Sequence, residues 1–226
     1  MNKPAIEGQA RQLLIQIWNQ RGAFWTNRSP SLFEIPDPEL AASLLNVSFE
    51  YRENLGRFGF RGSHFEVAGQ IDRNARRIAI SRKFPPDVAR FTGAHEIGHW
   101  LLHPGEIMHR DRPIKGLEQG TLVRPPYEKE ADYFAACFLM PRKLVERAFE
   151  LSFSTKKFVF DEAKAFHFCP SDPESLLWPR EDFLDRELAL ATAERYGTLR
   201  FTSLAKRFRV SANTMAIRLR ELNLIQ

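Results

Sequence analysis

PDVARFTGAHEIGHWLLH, residues 86–103, decides how the rest of this 226-residue chain is read. Pro85 and Pro86 suit the first turn of a helix, where a missing backbone N–H costs nothing, and Asp87 adds an acid at the positive end of the helix dipole. Pro104 and Gly105 end the run, so the spacing predicts one helix from about Pro85 to His103. Within it His95, Glu96 and His99 form an H-E-x-x-H sequence. Positions four apart differ by only about 40° around a helix, so both imidazoles reach one metal ion, while Glu96 points to its side and stays free to hold a water. Neutral imidazoles suit zinc, and a catalytic zinc takes three protein ligands with one position open. The competing reading is a solvated helix face. Trp100, Leu101 and Leu102 argue against it, because they make the helix a buried one.

Two imidazoles require a third ligand, and the sequence downstream narrows the choice. A metzincin extension would need Gly three and His six residues after His99, where Leu102 and Gly105 stand. Residues 104–126 hold four Pro and three Gly and read as a long irregular loop. The stretch 127–140, YEKEADYFAACFLM, then reads as a helix stopped by Pro141. Glu128 is the candidate ligand. Asp132, one turn on, is a candidate acceptor for the spare N–H of His95. Ala131 and Ala135 would let the two helices approach closely. Glu130 points about 160° away in an ideal helix and is expected to face solvent. Cys137 falls on the opposite face and is expected in the core. The bland alternative for Glu128 and Asp132 is an exposed, charged first turn.

Two stretches, RFTGAHEIGHWLLH at 90–103 and EKEADYFAACFLMP at 128–141, with GQID at 69–72 upstream, resemble the ImmA/IrrE metallopeptidases. The likeness covers about residues 46–141 well and the flanks loosely, and FLMP replaces the family's usual doubled leucine. The resemblance implies zinc held by His95, His99 and Glu128, with Glu96 as catalytic acid/base in amide hydrolysis. It also implies a specific protein substrate, such as a helix-turn-helix repressor or an antitoxin, cleaved in a regulatory or stress response. Tyr127, Tyr133, His103 and His109 are near in sequence and are candidates for oxyanion or substrate contacts.

Working outward, residues 7–20 read as an amphipathic helix with Leu13, Leu14, Ile17 and Trp18 on its buried stripe. Residues 40–45 suggest a short second helix. Alternation over 46–51, 65–71 and 77–81 predicts three strands, with Asp72, Arg73 and Asn74 as a hairpin turn between the last two. The fold class is therefore α+β: a small three-stranded sheet packed on the H-E-x-x-H helix within a mostly helical shell. Residues 168–179 read as a linker, and 180–196 as a helix capped by Gly197. Three segments are expected: 1–45 helical, 46–168 the peptidase core, and 169–226 a helix-turn-helix-like end.

That end is basic. Leu204, Ala205 and Phe208 would pack its first helix, Val210 the turn, Ser211 would cap the second helix, and Ile217 and Leu219 would pack it. Arg209, Arg218 and Arg220 are candidate nucleic-acid contacts. The alternative function is accordingly a DNA-binding regulator with a structural or vestigial zinc site. A net charge of +5 permits nucleic-acid contact without requiring it. Two cysteines build no disulfide framework, and neither a signal peptide nor a membrane-length apolar run is visible, so the expected setting is cytoplasmic.

Overall fold

The computed structural model describes residues 1–60, 63–105, 108–111, 125–180 and 182–226; at 59, 60, 63, 64 and 108–111 it describes the backbone alone. The chain divides into two compact units, Met1–Leu139 and Met140–Gln226. The division falls at the Pro141 helix stop, whereas the sequence suggested a linker at 168–179.

The first unit runs α1 (Lys3–Asn19), α2 (Arg21–Phe24), α3 (Pro38–Leu44), β1 (Ser48–Arg52), β2 (Arg57–Phe60), β3 (Ser63–Glu66), β4 (Gly69–Asp72), β5 (Arg77–Ser81), α4 (Pro86–Leu102), β6 (Met108–Asp111) and α5 (Pro126–Leu139). Helix α1 starts earlier than its apolar pattern suggested because the Asn2 side chain accepts the Ala5 N–H and Pro4 fits the first turn. Its buried face is Ile6, Ala10, Leu13 and Ile17. Trp18 lies outside that face, exposed, with the Arg21 guanidinium 4.2 Å from its ring centroid.

Four strands, not three, form the main sheet, in the order β1-β5-β4-β6. β1 runs parallel to β5, while β4 is antiparallel to both β5 and β6. Strand β6 falls in the segment expected to be loop. Four residues at a sheet edge are too few to show a period. The expected strand at 65–71 is two strands: β3 pairs with β2 as a separate hairpin, and the chain changes partners at Val67 and Ala68. Val67 donates to the carbonyl of Gly56, whose φ of +84° is a conformation that favours glycine. The β4–β5 turn is as expected, closed by the Asp72 carboxylate accepting the Ala75 N–H.

Helix α4 is buried on all sides from Ala89 to His99 because α3, α5 and strands β4 and β5 all pack against it. Two glycines permit this. A Cβ at Gly98 would meet the Ala131 backbone at 3.2 Å, so α4 and α5 touch backbone to backbone there. A Cβ at Gly93 would stand 2.8 Å from the Phe49 ring.

The second unit comprises α6 (Arg142–Phe153), α7 (Glu162–Phe168), α8 (Glu174–Leu177), α9 (Asp185–Thr192), β7 (Arg195–Tyr196), β8 (Leu199–Arg200), α10 (Leu204–Phe208) and α11 (Ala212–Glu221). The helix expected over 180–196 is therefore only α9, and Gly197, at φ +57°, turns the β7–β8 hairpin instead of capping a helix. In α10 and α11 the helix-turn-helix rhythm holds: Ser211 caps Thr214, and Leu204, Ala205, Phe208, Val210 and Leu219 are buried. Ile217 is exposed, and Met215 and Ala216 pack in its place. Arg209 takes the left-handed turn position, φ +55°.

Candidate metal centre and active site

His95 and His99, one helical turn apart on α4, bring their Nε2 atoms to 2.9 Å from each other. From α5 the Glu128 carboxylate reaches both, Oε2 at 3.4 Å from His95 Nε2 and Oε1 at 3.6 Å from His99 Nε2. These three residues are buried, and their ligand atoms lie within 4.8 Å of one another, the geometry of a site that can hold a metal ion. Cys137 is buried and stands outside this group.

The outer edges of the two rings have partners. Asp132 Oδ1 lies 2.9 Å from His95 Nδ1, as expected from the sequence. His103 Nδ1 lies 2.9 Å from His99 Nδ1. The Asp132 carboxylate at His95 Nδ1 favours, for that ring, the tautomer with the proton on Nδ1 and the lone pair on Nε2. With the same tautomer at His99, the two Nε2 lone pairs and the Glu128 carboxylate would face one another, acceptor to acceptor. A buried cation relieves that arrangement. The donor set fits zinc: two imidazoles, one carboxylate and outer partners for both rings.

Glu96 is fully buried beside His95, with both carboxylate oxygens out of solvent. The backbone of β4 defines its position, since a Cβ on Gly69 would lie only 2.2 Å from Glu96 Oε1. Arg73, in the β4–β5 turn, fixes the other end of the site. It donates to the carbonyls of His99 (2.8 Å), Trp100 (3.2 Å) and His103 (2.9 Å) and stacks 4.6 Å from the Trp100 ring centroid. A cation at those C-terminal carbonyls complements the helix dipole.

The four candidates for oxyanion or substrate contact separate. Tyr127 is at the site: its ring centroid is 5.9 Å from that of His99, and the residue is 37% exposed. His103 stands behind His99, its Nδ1 2.9 Å from His99 Nδ1, on the ring edge away from the facing Nε2 atoms. Tyr133 is buried under Lys3, whose Nζ is 5.0 Å from the ring centroid, so it faces α1. The His109 side chain lies outside the described residues.

Glu130 also departs from expectation. It turns to His103, with Oε2 3.2 Å from Nε2, because a long side chain can reach round a helix surface that an ideal angle assigns to solvent. Gly69, Arg73 and the His103–Glu130 pair escaped sequence reading. A glycine inside a strand pattern is the signal that marks a close backbone approach, and His103 repeats the four-residue step from His95 to His99.

In the second unit the candidate nucleic-acid contacts are mostly engaged. Arg218 is 1% exposed and donates to the Met140 carbonyl and to Glu221. Arg220 bonds Glu187 and the Phe183 carbonyl, and the Glu187 carboxylate holds its guanidinium above the ordinary arginine value. Arg209 is exposed.

A model of a peptidase family, the IrrE N-terminal-like domain, matches residues 52–167. That is more than half of the chain, and the chain belongs to this family. No curated protein matches the chain. No helix among the described residues is long and apolar enough to cross a membrane.

Proposed function

We propose that this chain is a zinc-dependent endopeptidase that acts in the cytoplasm on a specific regulatory protein. The observation that carries the reading is the convergence of His95, His99 and Glu128 in a buried cluster whose ligand atoms lie within 4.8 Å of one another. Membership of a peptidase family supports hydrolysis as the chemistry. The substrate class, a helix-turn-helix repressor or an antitoxin cut in a regulatory or stress response, rests on the family resemblance alone.

His95, His99 and Glu128 would hold the ion, and the chemistry it supplies when bound is Lewis acidity, towards a water and towards the scissile carbonyl. Glu96 is not among the ligands, and its buried carboxylate is suited to take the proton of the attacking water and deliver it to the leaving amine. Asp132 orients His95. The phenol of Tyr127, beside His99 and partly exposed, is the group best situated to meet substrate.

The competing reading, DNA contact through the basic C-terminal segment, is weakened by the burial of Arg218 and the pairing of Arg220 with Glu187. Zinc-loaded wild type and Glu96→Gln, each incubated with a regulator encoded beside the gene, separate the two. Wild type is expected to cut at one bond, read by mass spectrometry, while Glu96→Gln binds zinc and does not cut. Equal cleavage by both, or a wild type that binds no zinc, refutes the proposal.

A further inference from the structure

We propose that His103, backed by Glu130, is a positioning residue that holds the ligand His99, as Asp132 holds His95. The inference rests on the zinc reading above and concerns how this chain prepares one of its ligands.

A ligand imidazole that offers Nε2 must carry its proton on Nδ1 and needs an acceptor there. His95 has a carboxylate for this, Asp132 Oδ1 at 2.9 Å. His99 has an imidazole, His103 Nδ1 at 2.9 Å. An imidazole nitrogen accepts only through its lone pair, so His103 must keep its own proton on Nε2. That nitrogen is the one facing Glu130 Oε2, at 3.2 Å. With a metal on His99 Nε2, the hydrogen bonds of the chain run in one direction. His99 donates to His103, and His103 donates to Glu130. One ligand is oriented by a carboxylate directly, the other by a carboxylate one ring removed.

The backbone is built to keep His103 in place. It is the residue just past α4, and its N–H still donates to the His99 carbonyl at 3.0 Å. Its own carbonyl is held by Arg73. The side chain is 13% exposed, so water competes weakly for the His99 N–H. His103 also lies against Tyr127, 6.1 Å between ring centroids, and a role as mere packing is the alternative that the test must exclude.

The experiment measures zinc affinity by chelator competition for the full chain, wild type, His103→Leu and His103→Asn. Leucine fills the space without an acceptor, whereas the asparagine Oδ1 stands close to where Nδ1 was. Loss of an outer-shell partner typically weakens metal binding about 10–100-fold, so His103→Leu is expected to fall in that range and His103→Asn to stay within about threefold of wild type. If His103→Leu is unfolded by circular dichroism, His103→Ala replaces it, with the same loss expected. A leucine variant within about threefold of wild type overturns the proposal, as does an asparagine variant that loses as much as leucine, which would make the ring itself the requirement. A wild type that binds no zinc is a different failure: it removes the peptidase reading together with this one.

Discussion

Replacing Gly69 by alanine tests whether the strand behind Glu96 defines the position of the proposed base. The added Cβ would lie 2.2 Å from Glu96 Oε1, 2.9 Å from its Cδ and 2.8 Å from Thr92 Cγ2. Ordinary contacts between such atoms are about 3.5 Å, so the carboxylate must retreat by roughly 1 Å. The backbone at this position is not in the left-handed region, which leaves the steric cost on Glu96 and Thr92 and not on the strand. Misplacement of a reacting group by about 1 Å can cost on the order of 100-fold in rate, equivalent to about 2.7 kcal/mol of transition-state stabilisation. The ligand triad is not touched by this change, so zinc affinity should stay within about threefold while kcat falls. Initial cleavage rates of zinc-loaded protein and chelator competition measure the two quantities separately. Gly69→Ala cleaving at the wild-type rate would refute the reasoning, because Glu96 would then have been displaced without consequence.

Zinc should raise the melting temperature of wild type, with about 2.7 kcal/mol gained at a free concentration 100 times Kd, and Glu128→Ala should abolish the shift in a melt run with and without chelator. Gly98→Val should force α4 from α5, since even a Cβ there meets the Ala131 backbone at 3.2 Å and Phe134 at 3.1 Å. The expected cost is about 1–3 kcal/mol in urea unfolding. Arg218→Met should destabilise the second unit by about 1–3 kcal/mol by leaving the buried Met140 carbonyl without its donor, while leaving zinc affinity unchanged. Glu34, bonded to Arg28 and to the Ser31 N–H, should titrate at about 2 by carbon-detected NMR and return towards the ordinary carboxylate range in Arg28→Ala. Its folded value is depressed, so the stability it contributes is complete above the ordinary carboxylate range and is lost as pH falls towards 2.

The candidate ligand set is legible because a helix enforces it. Two imidazoles four residues apart must share a face, and a carboxylate at the start of the next buried helix is the nearest third donor. Asp132 follows from the same period. What does not show is whatever depends on chain reversal or on a long side chain. Strand β6 is too short to carry a pattern, and β3 and β4 look like one strand because alternation persists while the pairing partner changes. An ideal angle assigns Glu130 to solvent, and its own reach brings it to His103. Arg218 looks like a surface cation because charge in a sequence says nothing of a buried carbonyl waiting for a donor. The second unit is misleading for a related reason: a hydrophobic run ending in glycine fits a capped helix and a two-residue hairpin equally well, and only the pairing of Tyr196 with Leu199 decides between them.

The guanidinium of Arg73 has a mechanical meaning. Last turns of helices ordinarily fray, and here that turn carries His99 and leads into His103. Tying three of its carbonyls to the hairpin between β4 and β5 removes the softest motion available to the site. An ion arriving at such a site would find its seat already shaped, and amides at the end of α4 should already be protected from exchange before loading.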